Sequence, residues 1–292
     1  MKIQEECVPC LLKRIIFETQ HSTNDKKIRT QTIKKSSKLL AELYDPEVSS
    51  AIIATKVHKI AYETLGNKDP YKDLKNTSNK VAQSLVPRIE HLIKCSDDHL
   101  RICMICSIVG NMMDFGISGA SENPENLGEI FEEIFIEDLG HDDTNEVKKL
   151  LSNAKRVMLF TDNCGEIVFD KILCKELKKF NPKIFLTVVV KGEAIISDAT
   201  IEDVKKLKFN EVCDEILTTG CFAIGLDFEN IPSDLKNALD KADLIICKGM
   251  ANYEAFSEKN YNHIVYMLRT KCTAIAKSLK LPLNINVVKL VK

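Results

Sequence analysis

Arg156-Val-Met-Leu-Phe160 runs into Thr161-Asp-Asn-Cys-Gly-Glu166, the stretch Ile167–Phe180 follows, and Ile184-Phe-Leu-Thr-Val-Val-Val190 closes the unit. The two flanking runs are short, apolar and rich in β-branched or aromatic residues, which marks buried strands. Between them Ile167, Val168, Ile172, Leu173 and Leu177 recur at helical spacing. A strand, a helix and a second strand in that order predict a parallel pair joined by a crossover helix. The polar cluster at 161–166 then falls where a buried strand ends, and open α/β sheets place their chemistry at such ends.

Further runs at Glu215–Thr218, Leu244–Cys247 and His263–Leu268 repeat the pattern, so the second half reads as a mainly parallel sheet covered by helices. The tail from Leu283 to Val291 alternates as a last strand, expected at a sheet edge, after a helix around Thr273–Leu279. Before about residue 150 the apolar spacing is helical, for example Leu11, Leu12, Ile15 and Ile16, then Leu39, Leu40 and Leu43, with no convincing strand. Tyr44-Asp-Pro46, Leu65-Gly-Asn-Lys-Asp-Pro70 and Gly116-Ile-Ser-Gly119 have the chemistry that ends helices. Gly140–Asn145 is the expected crossing, giving a helical domain over 1–145 and a Rossmann-like α/β domain over 146–292.

Of the 292 residues, 45% are hydrophobic and 28% charged, an ordinary globular balance. The net charge is −1 and only six of the cations are Arg, which argues against nucleic acid or an anionic membrane as partner and favours a small soluble molecule. The first residues lack the apolar core of a signal peptide, and no apolar run reaches the roughly 20 residues of a membrane span, so a cytoplasmic protein is expected. Eleven scattered Cys in a chain of this size read as mostly reduced thiols, several of them simply buried. Cys7-Val-Pro-Cys10 and Cys103-Met-Ile-Cys106 form two C-x-x-C pairs; four thiolates on zinc or an iron–sulfur cluster is one reading, small buried residues on a helix face the commoner one.

Asp162 and Asn163 offer two hard oxygen donors side by side, which suits a divalent cation such as Mg²⁺ or Mn²⁺. A third is available on the next strand tip, where Ile184–Val190 leads through Lys191 to Ser197-Asp198-Ala199-Thr200. Asp198 has an equally good reading as the cap of the following helix, and Asp162 a weaker one as the cap of helix 165–180. Leu244-Ile-Ile-Cys247 ends in Lys248-Gly-Met-Ala-Asn252, where a Lys, a Gly that permits close approach and a helix start make a compact anion site. Asn111 and Asp114 lie three residues apart, on one face if helical, or else at a helix C-terminus stopped by Gly116.

Taken together, Cys-Val-Pro-Cys-Leu-Leu at 7–12, Asp69-Pro-Tyr-Lys72, Gly-Asn-Met-Met-Asp-Phe-Gly at 110–116, residues 161–166, Ser197–Thr200, Lys248–Glu254 and Leu268-Arg-Thr-Lys-Cys272 resemble the damage-control metal-dependent phosphatases. That family was long catalogued as domain of unknown function eighty-nine, and the likeness is to its microbial, Cys-x-x-Cys-containing branch. The resemblance spans almost the whole chain. It implies a helical N-terminal region packed on a Rossmann-like sheet, with a divalent metal (Mg, Mn, Co or Ni) held by Asp162, Asn163 and Asp198. It also implies that Lys248, the backbone around Gly249 and the Asn252 side chain hold substrate phosphate, with Asn111, Asp114 and Glu166 facing the same cleft. Where eukaryotic branches carry an Asp two residues after the phosphate-site Lys, this chain has Met250.

The expected reaction is therefore metal-dependent hydrolysis of phosphomonoesters of small phosphometabolites, such as sugar phosphates or related damaged intermediates. Asp198 or Asp114 is a candidate for orienting water. The alternatives are a methyltransferase using S-adenosylmethionine, disfavoured because 161–166 has one Gly and two acids instead of a Gly-rich loop, and a non-catalytic metal- or phosphometabolite-binding protein.

Overall fold

The computed structural model describes residues 1–111, 131, 133 and 135–292. Its strands are β1 (His141–Asp142), β2 (Arg156–Phe160), β3 (Phe185–Val190), β4 (Glu215–Thr218), β5 (Leu244–Lys248), β6 (Ile264–Arg269) and β7 (Asn286–Val291). Described helices are α1 (Cys7–Ser22), α2 (Lys26–Leu43), α3 (Ser50–Leu65), α4 (Lys72–Lys94), α5 (His99–Gly110), α6 (Thr144–Leu151), α7 (Glu166–Phe180), α8 (Ile201–Lys206), α9 (Ser233–Leu239), α10 (Gly249–Phe256) and α11 (Thr273–Leu279).

The seven strands form one sheet in the order β1-β7-β6-β5-β2-β3-β4. All neighbouring pairs are parallel except β6 with β7. From β2 the chain winds outward through β3 and β4, then returns to lay β5 on the other flank of β2. The strand order thus reverses between β2 and β5, which opens a crevice beyond their C-terminal ends. The tail strand β7 lies one place in from the edge. The two-residue β1 covers it, and His141 and Asp142 carry no apolar alternation by which that strand could be read from sequence.

Both faces of the sheet are covered, as buried runs on every strand require. Val157, Leu159, Leu186, Val188 and Ile246 pack with α4, α5 and α7 on one face. Met158, Phe160, Ile245, Cys247 and Tyr266 pack with α9, α10 and α11 on the other. A third cluster joins α1, α2 and α3 to Ile195, Ile196 and Ile224, which belong to the loops leaving β3 and β4. The first three helices therefore sit over the C-terminal end of the sheet, while α4 and α5 share its core.

Local chemistry sets the helix ends. Asp25 accepts hydrogen bonds from the backbone N–H groups of Lys27 and Ile28 at 2.7 and 3.4 Å to start α2, and Gly66, at φ +64°, ends α3 in the left-handed region. The ends of α2 at Leu43 and of α3 at Leu65 fall at the turns expected near residues 44 and 65; the one expected at 116–119 lies outside the described residues.

Candidate active site

The tip of β2 is stitched to the loop that follows β3. Asn163 and Asp198 form an antiparallel bridge, the Ala199 N–H donates to the Asp162 carbonyl at 2.8 Å, and the Cys164 N–H donates to the Ser197 carbonyl at 2.8 Å. Asp162, Asn163 and Asp198 are thereby brought together, and all three are buried. The helix-cap readings do not account for them. Thr200 is the N-cap of α8, with the Asp203 carboxylate accepting from its N–H at 2.9 Å and its hydroxyl at 2.8 Å, and Gly165 is the N-cap of α7.

The loop carrying Asp198 is also held from outside. Ile196 has a φ of +40°, a costly backbone state for a β-branched residue, and its N–H donates to the Tyr62 hydroxyl of α3 at 3.0 Å. Lys191, at the end of β3, places its ammonium 3.2 Å from Asp198 Oδ2 and donates to the Gly225 carbonyl.

Asp162 Oδ2 accepts from Asn111 Nδ2 at 2.7 Å and from Asn163 Nδ2 at 2.8 Å. Asn111, the residue that ends α5, also donates to Glu166 Oε2 at 2.7 Å. Ser197 donates its hydroxyl to Asn163 Oδ1 at 2.6 Å. A hydroxyl accepts as readily as it donates, so turning the Asn163 amide over keeps Ser197 bonded and sets Oδ1 beside Asp162 Oδ2. Two oxygens from adjacent residues would then lie side by side.

Lys248 closes the polar core. Its fully buried ammonium donates to Glu166 Oε1 and to the Ser107 carbonyl at 3.0 Å, and lies 3.1 Å from Asp170 Oδ1. Burial alone would lower the Lys248 pKa, yet Asp170 and Glu166 hold it above its ordinary value. One ammonium facing two carboxylates leaves an acid in excess. Burial, with the charge of Glu166, pushes Asp170 up to about 6 against the pull of Lys248.

The next residue permits the closeness. At Gly249, φ +73°, a Cβ would fall 1.8 Å from Asp162 Oδ2, so only glycine lets β5 turn into α10 against this carboxylate. Asn252 donates to the Thr161 carbonyl at 3.0 Å and the Lys248 carbonyl at 2.7 Å, tying the tips of β2 and β5 together. Asp114 lies outside the described residues.

A cavity of about 420 Å³ opens beside this cluster. Asp162, Met250 and Lys271 line it from beyond the ends of β2, β5 and β6, and Arg14, His58 and Cys10 from α1 and α3. Lys271 is almost fully buried and donates to the Asn111 carbonyl. Around the strand tips four buried carboxylates, Asp162, Glu166, Asp170 and Asp198, meet three buried ammonium groups, Lys191, Lys248 and Lys271. That excess of negative charge, with hard oxygens at its centre, suits a divalent cation. No three His, Cys, Asp or Glu side chains converge as a ready-made metal cage among the described residues.

The cysteine pairs do not combine. Cys103 and Cys106 are buried in the core that α5 shares with the sheet, whereas Cys7 packs at the margins of the other two clusters and lines the cavity with Cys10. Burial pushes the thiols of Cys7 and Cys106 up to about 11 and about 12, so both remain protonated near neutrality.

Asp170, Lys191 and Lys271 border the candidate site, and the sequence analysis gives none of them a role of its own, although Lys271 falls within the Leu268–Cys272 motif. Lys191 and Lys271 each follow a strand closely, as Lys248 ends one, and that shared placement is the signal that could have marked them. Asp170 stands four residues after Glu166 on the otherwise apolar buried stripe of α7, where an acid needs a partner.

No described helix is long and apolar enough to cross a membrane. Over its full length the chain is 39% identical to a damage-control phosphatase of Archaeoglobus fulgidus, with all of both sequences covered. It is 31% identical to a damage-control phosphatase of Pyrococcus horikoshii, over 97% of this chain and 96% of that one. A crystal structure of a DUF89 family protein from Pyrococcus horikoshii superposes with a TM-score of 0.90 at 30% identity, covering all of both chains. The family model for the damage-control phosphatase ARMT1-like domain matches residues 3–286, and the chain belongs to that family.

Proposed function

We propose that the protein is a metal-dependent phosphomonoesterase of small phosphorylated metabolites, with sugar phosphates and related damaged intermediates as its substrate class. The observation that carries this reading is the buried, net-negative cluster at the strand-order reversal. It opens on a cavity whose volume fits a small ligand and whose wall carries Lys271. Membership of a phosphatase family supports the same reaction.

Asp162, Asn163 and Asp198 would hold the cation, with Mg²⁺, Mn²⁺, Co²⁺ or Ni²⁺ as candidates. When bound, such an ion supplies Lewis acidity towards the phosphoryl group and the attacking water. Lys271 gives the cavity a positive charge for a substrate phosphate, a role that costs it no loss of its bond to Asn111 because an ammonium has three donors. Lys248 contributes from behind. Its bonds to Glu166 and Asp170 fix the carboxylate against which Asn111 and Asn163 are set, and its charge reaches the phosphate site through that network. Catalysis then rests on positioning and fixed charge.

The experiment is a phosphate-release screen on a panel of sugar phosphates with each metal in turn, repeated with Asp162→Ala. Activity that needs a divalent ion in the wild type and is abolished in a folded variant is expected. Full activity in Asp162→Ala would overturn the site.

A further inference from the structure

Hydrolysis of an alkyl phosphate expels an alkoxide, a poor leaving group unless a proton reaches it as the ester bond breaks. The ammonium groups at the strand tips are poorly suited to supply that proton. Lys248 is held by two carboxylates, Lys191 by Asp198 and a carbonyl, and Lys271, which donates to the Asn111 carbonyl, keeps its charge for the substrate phosphate. The opposite wall of the cavity has a different composition. His58 of α3 lines the same cavity as Asp162 and is only 1% exposed. Its Nδ1 lies 2.7 Å from Oε1 of Glu18, a fully buried carboxylate on α1, and the Tyr71 hydroxyl stands 3.5 Å from the same oxygen.

A buried His–Glu pair is an expensive way to join two helices, because apolar side chains of similar volume do it as well without desolvating a charge. The Glu18 contact does something an apolar pair would not. It holds the Nδ1 edge of the ring against the carboxylate, 2.7 Å from Glu18 Oε1, and leaves Nε2 as the ring nitrogen turned away from that contact. A carboxylate that orients a histidine while the other nitrogen works is a recurring catalytic arrangement.

We infer that His58, oriented by Glu18, is the general acid that protonates the leaving-group oxygen of the substrate; this rests on the phosphatase reading above. The phosphorus–ester oxygen bond breaks as water's oxygen bonds to phosphorus. The Nε2 proton passes to the departing oxygen to give the alcohol, and the proton lost by the water returns to Nε2 through solvent, restoring the acid. The helical region therefore contributes a reacting group of its own, and Glu18 is a positioning residue.

The test compares p-nitrophenyl phosphate, whose leaving group needs no proton, with an alkyl ester such as glycerol phosphate, for wild type, His58→Gln and Glu18→Gln under the best divalent metal. For His58→Gln, kcat on the alkyl ester should fall by about 10²- to 10³-fold while kcat on the aryl ester falls less than about tenfold, the range of general-acid contributions. Glu18→Gln should show the same selectivity with a smaller amplitude, and turnover of the aryl ester reports that each variant is folded. Equal losses on both esters, or no loss on the alkyl ester, would overturn the inference alone. A wild type inactive on both esters with every metal would overturn the phosphatase reading and this inference with it.

Discussion

Replacing Gly249 with Ala probes the closest approach in the site. Two effects are present and a second glycine separates them. Gly66 ends α3 at φ +64° with nothing within 4 Å of the position a Cβ would take, so Gly66→Ala carries only the left-handed backbone penalty, about 1–2 kcal/mol. Gly249, at φ +73°, carries the same penalty and adds a Cβ 1.8 Å from Asp162 Oδ2 and 2.3 Å from its Cγ. That is roughly half an ordinary contact distance of about 3.5 Å, too deep an overlap for small shifts to absorb. The Asp162 carboxylate must turn away, giving up its bonds from Asn111 and Asn163. Hydrogen bonds to a charged group contribute about 1.5–3 kcal/mol each and these two are not independent, so the added cost is about 3 kcal/mol and the total about 4–5 kcal/mol. Denaturant midpoints of the two variants at constant slope measure the difference directly. Metal-dependent turnover should vanish in Gly249→Ala and persist in Gly66→Ala. Equal destabilisation by the two substitutions, or an active Gly249→Ala enzyme, would refute the close packing of β5 against Asp162.

The remaining predictions concern charge and capping. Lys248→Met leaves Glu166 and Asp170 buried without their cation and should destabilise by about 3–5 kcal/mol, whereas Lys248→Met combined with Glu166→Gln and Asp170→Asn should recover much of that loss in the same denaturation assay. Because the folded-state pKa of Asp170 is raised to about 6, the native protein takes up a proton more readily than the unfolded chain. Stability contributed by this group is therefore lost as pH rises from about 4 to about 6, and the stability gap between wild type and Asp170→Asn should shift against the wild type over that window in denaturation series. A gap that does not change with pH would remove Asp170 from the coupled cluster. Thr200→Ala should cost about 1 kcal/mol in a melting experiment and leave turnover intact, while Asp198→Asn should abolish metal-dependent turnover; the reverse outcome would restore Asp198 to a capping role.

Much of the sheet was legible because its strands are buried on both faces. The runs from Val157–Phe160 to His263–Leu268 needed only their lengths and β-branched content, and the helix between the first two needed only its period. Position within the sheet was harder. The tail strand pairs antiparallel with β6 and is covered by β1, and nothing in the polar dipeptide His141-Asp142 announces a strand, since its pairing is decided by tertiary contact. Asp162 and Asn163 were readable because they end a strand, and Lys248 because a glycine follows it. What Lys248 touches was not readable: its partners come from α7 and from Ser107 on α5, distant in sequence. The relation of α1 and α3 to the site was equally hidden, because helical spacing shows which face of a helix is buried and not which cavity it borders.

The central claim is that one divalent cation sits between the tips of β2 and β3 and draws a substrate phosphate into the cavity lined by Lys271. Anomalous diffraction from crystals soaked with Mn²⁺ and inorganic phosphate tests it most directly. The expected map has one strong peak within bonding distance of Asp162, Asn163 and Asp198 oxygens, with phosphate on its cavity side. A catalytically competent Mn²⁺ bound elsewhere, or phosphate held with no metal beside those three residues, would contradict it.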